Sequence, residues 1–290
     1  MFPNFEQIII DTNKVQINVI KGGDGLPLLL LHGYPQTHVM WHKIAPLLAR
    51  DFTVVATDLR GYGDSSKPSS SSQHISYSKR VMAQDQIEVM LNLGYDKFFV
   101  VGHDRGARVS HRLALDHPDY VRKLILLDIV PTYKMYATAD QELARAYYHW
   151  FFLIQPDNLP ETLIKANPEY YLRRCLQQWG KDFAAFTPEA LAEYIRCFCD
   201  PAVIHATCED YRAAATIDLE HDELDMEQKI SCPVLVLWGE KGIIGHKYDV
   251  LATWQERAND VQGKGIPCGH FLPEEAPEET YEAIYQFLIE

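Results

Sequence analysis

The five residues Gly102-His103-Asp104-Arg105-Gly106 constrain this 290-residue chain more than any other stretch. They follow an apolar run at 97–101 that reads as a buried strand. They lead into residues 105–117, which read as a helix stopped by Pro118. The pattern small-x-nucleophile-x-small between strand and helix is a nucleophile elbow. Its glycines permit a sharp, strained turn that lifts the central side chain into a pocket.

Serine is the usual central residue of an elbow, and here it is Asp104. A carboxylate is ionised at neutral pH, since an unperturbed aspartate titrates near ~3.9. It needs no base to attack, but on an ester or amide carbonyl it would give only an unstable anhydride. Its natural target is a saturated carbon bearing a leaving group, such as a carbon–halogen bond or an epoxide. Arg105 and Arg108 lie three apart, so both can share one face of the first helical turn. Cations at a helix N-terminus oppose the dipole, so local stability does not explain them. A small anionic substrate whose carboxylate they hold bidentately would. The bland alternative is two solvated helix arginines.

The formal net charge of −13 argues against nucleic acid and anionic membrane surfaces as partners. It also means that an anionic substrate needs local positive charge, which Arg105 and Arg108 supply. The N-terminus lacks the basic, then apolar pattern of a signal peptide, and no apolar stretch is long enough to span a bilayer. The six cysteines show no CxxC pair or zinc spacing and read as reduced thiols. The chain is therefore expected to be cytoplasmic, with neither metal nor cofactor.

Along the chain, 8–12 and 15–21, separated by a short polar turn, read as an edge hairpin, and 28–31 as a fully apolar strand. That strand ends in His32-Gly33-Tyr34-Pro35, where the N–H groups of Tyr34 and Arg105 would form an oxyanion hole and the Tyr34 ring would line the pocket. Residues 41–48 read as helix and 53–57 as strand. The Asp58–Ser65 turn reads as structural, with Asp58 and Arg60 bracing a loop. A helix at 78–93 precedes the elbow strand. After the strand at 123–127 stands Asp128, at the edge where parallel sheets gather catalytic groups. From 129 to 225 the pattern turns helical and aromatic, with helices at 141–152, 168–179, 188–198 and 202–215. This reads as a cap inserted into a core made of 1–128 and 226–290. Alternation resumes with a strand at 234–238, a helix at 247–257, a strand at 262–266 and a final helix at 278–290.

His270 follows the last strand in Pro267-Cys268-Gly269-His270-Phe271, a position suited to a base. The order Asp104, Asp128, His270 is nucleophile, acid, histidine. Gly242 occupies the place where many relatives carry the acid, so Asp128 is the acid expected here, with Glu240 in reserve.

With these residues assembled, the chain resembles the α/β-hydrolase superfamily over nearly its whole length. Within it the chain is most similar to the haloacetate (fluoroacetate) dehalogenases. The matches are His32-Gly33-Tyr34-Pro35-Gln36, Gly102-His103-Asp104-Arg105-Gly106-Ala107-Arg108, His149-Trp150 and Cys268-Gly269-His270-Phe271. The resemblance implies a mostly parallel eight-stranded sheet flanked by helices. It implies substrate-carboxylate binding by Arg105 and Arg108, and a halide pocket built by His149, Trp150 and Tyr211. It also implies a lid tryptophan at Trp179 and a homodimer. Tyr34 stands where phenylalanine is common. An imidazole N–H, an indole N–H and a phenol O–H can replace the water of a small leaving anion. The expected reaction is hydrolytic dehalogenation of a haloacetate to glycolate through an aspartyl ester. The alternatives are an epoxide hydrolase, which would use cap tyrosines as acids, and a hydrolase-fold receptor without turnover.

Overall fold

The computed structural model describes every residue except Asn13. The turn expected between residues 12 and 15 therefore lies partly outside the described residues. Eight strands form one sheet: β1 (Glu6–Asp11), β2 (Gln16–Gly22), β3 (Leu26–Leu31), β4 (Phe52–Thr57), β5 (Phe98–His103), β6 (Val121–Leu127), β7 (Val234–Gly239) and β8 (Val261–Ile266). Their order is β1-β2-β4-β3-β5-β6-β7-β8. β1 and β2 pair antiparallel, as do β2 and β4, and the pairs from β4 to β8 are parallel.

The strands next to the elbow carry side chains buried on both faces. Leu28, Leu29, Leu30 and Leu31 have no exposed surface, and neither do Val54, Val55, Val100 and Val101. A near-continuous apolar run is what a central parallel strand covered by helices requires. β1 and β8 instead have only one buried residue each and otherwise run through exposed and half-buried positions, as sheet edges do. The fold thus places the C-terminal ends of β3, β5 and β6 side by side, with register pairs Leu31↔Gly102 and His103↔Leu127. That alignment brings Tyr34, Asp104 and Asp128 to one edge.

Between β6 and β7 no strand occurs among the described residues. Eight α-helices and a short 3-10 turn fill this stretch, from Thr132–Ala137 to Ile217–Leu224. Three expectations need correction. The helix expected at 41–48 is a 3-10 turn, His38–Trp41, and a separate short helix, Ala45–Leu48. Pro46 sits in that helix's first turn, where its missing N–H costs nothing, rather than in an interior where it would remove a hydrogen bond. The helix expected at 141–152 breaks into Gln141–Ala146 and His149–Phe152, with Tyr147 non-helical at φ −115° and ψ 45°. The helix expected at 247–257 is Ile243–Lys247 and Val250–Gln255, the second started by the Asp249 side chain accepting from Ala252 N–H. Short helices at Leu159–Ala166 and Leu272–Glu275 went unread, although proline in each first turn marks the start.

The Asp58–Ser65 turn is structural, as expected. Asp58 accepts from the backbone and ring of His38, both at 2.8 Å, and from Asn18 at 2.8 Å. Arg60 places two nitrogens on Asp85, each at 2.6 Å. No helix among the described residues is long and apolar enough to cross a membrane.

Candidate active site

Asp104 lies between β5 and the Arg105–Asp116 helix at φ 46° and ψ −113°, a conformation that L side chains rarely adopt. Such a residue costs of order ~1–3 kcal/mol and is retained where its surroundings over-determine it. Two glycines do so by allowing close approach. A Cβ on Gly106 would lie 2.3 Å from the His32 carbonyl oxygen and 2.4 Å from that of Leu31, so the helix can press against the end of β3. A Cβ on Gly33 would lie 2.4 Å from the Cβ of Asp104. The loop after β3 therefore sits directly on the carboxylate, and Tyr34 N–H donates to Asp104 Oδ1 at 2.9 Å. Arg105 opens the helix, so its N–H has no acceptor within the helix. His32 is the clip that holds this loop: its Nε2 accepts from Leu59 N–H at 3.0 Å.

His270 Nδ1 lies 2.6 Å from Asp128 Oδ2, and the other oxygen of Asp128 accepts from Gly239 N–H at 2.9 Å. Asp128, not Glu240, is the carboxylate bonded to the imidazole. Glu240 instead packs against Gly265 of β8, where a Cβ would meet its Cγ at 2.5 Å. A Cβ on Gly242 would lie 3.7 Å and 3.9 Å from the two oxygens of Asp128, so the common location of the acid adjoins the carboxylate present. Burial alone would lower the His270 pKa. The hydrogen bond to Asp128 and the charges of Asp128 and Asp104 outweigh burial and hold it above its ordinary value. Burial would raise the Asp104 pKa, but His270, Arg105, His103 and Arg108 together hold it below its usual range. Glu275 fixes the histidine loop by accepting from Gly269 N–H at 3.0 Å and Phe271 N–H at 2.9 Å.

Both arginines pack against aromatic side chains of the helical stretch between β6 and β7. The guanidinium of Arg108 lies 4.5 Å from the Trp150 ring centroid, and that of Arg105 lies 4.2 Å from Tyr211 and 5.7 Å from Trp150. His149 packs 4.2 Å from Trp179 and 5.5 Å from Tyr211 between ring centroids, and Tyr34 lies 5.3 Å from Tyr211. His149 Nδ1, Trp150 Nε1, Tyr211 Oη and Trp179 Nε1 are buried without a hydrogen-bond partner. So are Arg105 Nη1 and Arg108 Nε. An unmet buried polar group costs ~1–3 kcal/mol, so a cluster of them on facing rings marks a place that a polar guest completes. Burial pushes the His149 pKa well down, which leaves a neutral imidazole able to donate an N–H without carrying a charge.

The two arginines differ in a way the sequence did not reveal. Arg105 is already engaged by Asp210, with Nε to Oδ2 at 2.9 Å and Nη2 to Oδ1 at 2.7 Å, so the fork expected to hold a substrate carboxylate is occupied. Arg108 donates only to neutral oxygens, Val130 O at 3.0 Å and Thr132 Oγ1 at 3.1 Å. Burial and the neighbouring Arg105 lower its pKa, and no adjacent carboxylate is bonded to it. Tyr147, one of the tyrosines (with Tyr148, Tyr170 and Tyr211) that the epoxide-hydrolase alternative would use as acids, stands beside the histidine. Its non-helical backbone puts its ring 5.1 Å from His149, and its hydroxyl lies 3.4 Å from His270 Nδ1. A cavity of about 70 Å³ reaches His270 between Tyr147, Trp179 and Gly242. Among the described residues, no group of three or more His, Cys, Asp or Glu side chains is arranged to hold a metal ion.

Glu274 lies four residues past His270. Its Oε1 accepts from Tyr194, in the helical stretch between β6 and β7, at 2.6 Å, while Lys43 and His42 stand 3.6 Å and 3.7 Å from Oε2. Burial raises its pKa to about 7. A raised carboxyl pKa means that the native state binds the proton more tightly than the unfolded chain. Stability therefore falls as pH rises from the ordinary value toward 7. The deficit above pH 7 is of order ~3 kcal/mol. Glu274→Gln keeps an acceptor for Tyr194 and removes the ionisation. Its thermal unfolding midpoint should exceed the native one at pH 8 and converge with it near pH 5. A constant difference across that range would show that the carboxyl does not titrate there.

The chain matches the alpha/beta hydrolase fold family over residues 27–277. It is 47% identical to a fluoroacetate dehalogenase of Burkholderia sp. over 289 residues, covering 99% of this chain and 95% of that protein. It is 36% identical to a soluble epoxide hydrolase of Corynebacterium sp. strain C12, covering 95% of this chain and 94% of that one. Among solved structures, an alpha/beta hydrolase from Nostoc sp. PCC 7120 superposes with a TM-score of 0.99 at 80% identity, over 99% of both chains.

Proposed function

The chain belongs to the alpha/beta hydrolase fold family, and from that premise we propose that it hydrolyses the carbon–halogen bond of a short 2-haloacid, with haloacetate as the substrate and glycolate and halide as products. The observation that carries this reading is Arg108, a buried guanidinium near Asp104 that is hydrogen-bonded to no carboxylate and donates only to neutral oxygens. A neutral epoxide gives no reason to bury that cation, and a 2-haloacid supplies its missing counter-charge. The similarity to a fluoroacetate dehalogenase supports the same reading.

Arg108 and the free Nη1 of Arg105 hold the carboxylate and offset its repulsion from Asp104. One Asp104 oxygen attacks the α-carbon, the carbon–halogen bond breaks, and the halide leaves with the bonding pair into the donors of His149, Trp150 and Tyr211. The product is an ester of Asp104. His270, oriented by Asp128, takes a proton from water, which attacks the ester carbonyl of Asp104; the tetrahedral intermediate then breaks its bond to the glycolate oxygen, which receives that proton back from His270, and the Asp104 carboxylate is regenerated. The Tyr34 N–H, already on Oδ1, and the Arg105 N–H stabilise the oxyanion.

Halide release measured with fluoroacetate and chloroacetate, beside diol formation from a neutral epoxide, tests the proposal. Halide with stoichiometric glycolate and no diol is the expected result. Diol without halide would make the protein an epoxide hydrolase, the activity named for its Corynebacterium relative. Neither product would favour a ligand receptor. The covalent route has its own test. With enzyme in excess in ¹⁸O-labelled water, one turnover should leave label in the Asp104 carboxylate, because water attacks the Asp104 carbonyl. Label confined to glycolate would mean direct attack by water on the α-carbon.

A further inference from the structure

Asp210 lies on the cap helix Pro201–Ala214 and has no exposed surface. Its carboxylate grips Arg105 through Nε and Nη2, and its backbone carbonyl accepts a third bond from Nη2 at 3.0 Å. The same carboxylate accepts from Tyr62 Oη at 2.7 Å and from the ammonium of Lys79, which Asp218 also faces. Tyr62, Lys79 and Arg105 all belong to the core, whereas Asp210 and Asp218 belong to the cap. Three bonds plus the Tyr211 ring against its face leave the Arg105 guanidinium no freedom to turn, and its remaining nitrogen, Nη1, is buried without a partner.

We propose that Asp210 is a positioning residue for substrate selection: by clamping Arg105 across the cap–core seam it aims a single N–H group, Nη1, at the substrate carboxylate, so that the acid is recognised only when the cap is docked. This rests on the haloacid reading above. The carboxylate is then shared between two arginines, one donor set from each, rather than held by one fork. Asp210 touches neither substrate nor reacting atoms. It acts through Arg105, and its partners Tyr62 and Lys79 hold the clamp itself in place. A purely structural ion pair would support the elbow for every substrate alike. A clamp that aims Nη1 would matter only for substrates that carry a carboxylate.

Chloroacetate and neutral chloroacetamide separate these roles, with native enzyme, Asp210→Asn, Arg105→Lys and the double variant. Asp210→Asn places an amide N–H₂ against a guanidinium that can only donate, so Arg105 loses its fixed pose. The ratio of kcat/KM for chloroacetate over chloroacetamide should fall roughly tenfold, and the double variant should fall little further than the worse single one. Tyr62→Phe, which loosens the clamp without touching Arg105, should shift the ratio in the same direction by a smaller factor. Should Asp210→Asn not fold, Asp210→Glu carries the test, since one added methylene keeps the charge and moves the clamp. An unchanged ratio in the variants, or fully additive losses in the double variant, would overturn the proposal. Native enzyme that does not prefer chloroacetate over chloroacetamide would instead remove the haloacid reading, whatever Asp210 does.

Discussion

His270→Ala should release about one halide ion per site from chloroacetate and then stop, with the glycolyl ester trapped on Asp104. Asp104 needs no base, because its neighbours hold it ionised, so displacement survives the loss of the imidazole. Hydrolysis does not survive, since no other group bonded to Asp128 is placed to take the water's proton. Steady-state turnover should fall by roughly 10³-fold or more, while the first turnover stays within a small factor of native. Mass spectrometry of the Asp104 peptide checks this directly, and a peptide without added mass would remove His270 from the base role. The native enzyme should show the matching pH dependence. The base must be neutral, and its pKa stands above the ordinary histidine value, so deacylation should slow as pH falls through that raised value. Esterification removes the Asp104 charge, a lesser cause of the rise than Asp128, so in the ester that slowing should set in at a somewhat lower pH than the free enzyme's raised value.

The division between what the sequence reveals and what it hides follows from the range of the interactions. The elbow, the edge hairpin and the central strands are encoded by local pattern: glycines around Asp104, alternation in β1, unbroken apolar runs in β3 and β4. The meeting of Asp128 and His270 was also legible, because Asp128 follows β6 directly and His270 comes four residues past β8, at strand ends the fold brings to one edge. The placement of Tyr147 beside His270 was not, because its neighbours read as continuous helix. The break comes from packing against His149, Trp179 and His270, up to 123 residues away. Asp210 was hidden for the same reason. Its partner Arg105 is 105 residues away, and an aspartate within a cap helix reads as a solvated charge until the fold buries it. The Arg105 fork that the sequence leaves open lies on Asp210, whereas Arg108 is bonded to no carboxylate.

Arg108 is where function and stability should separate most sharply. A buried guanidinium that donates to Val130 O and Thr132 Oγ1 but has no carboxylate is retained at a cost to the unliganded fold. Replacing it with methionine keeps the packing against Trp150 and removes the uncompensated charge. The unfolding midpoint of Arg108→Met should therefore equal or exceed the native one. Turnover should move the other way. One charge-assisted bond is worth ~1.5–3 kcal/mol, or roughly ten- to 150-fold in kcat/KM. The loss should be larger here, because the substrate carboxylate would then face Asp104 with only Arg105 Nη1 opposing their repulsion. Arg108→Lys should recover part of the charge but not the planar geometry, and should remain below native. Chloroacetamide, with no charge to offset, should lose far less in either variant. The decisive comparison is kcat/KM on both substrates beside a thermal melt. A lowered melting point with equal losses on acid and amide would mean that Arg108 braces the elbow helix against the segment after β6, and that the recognition of the acid lies elsewhere.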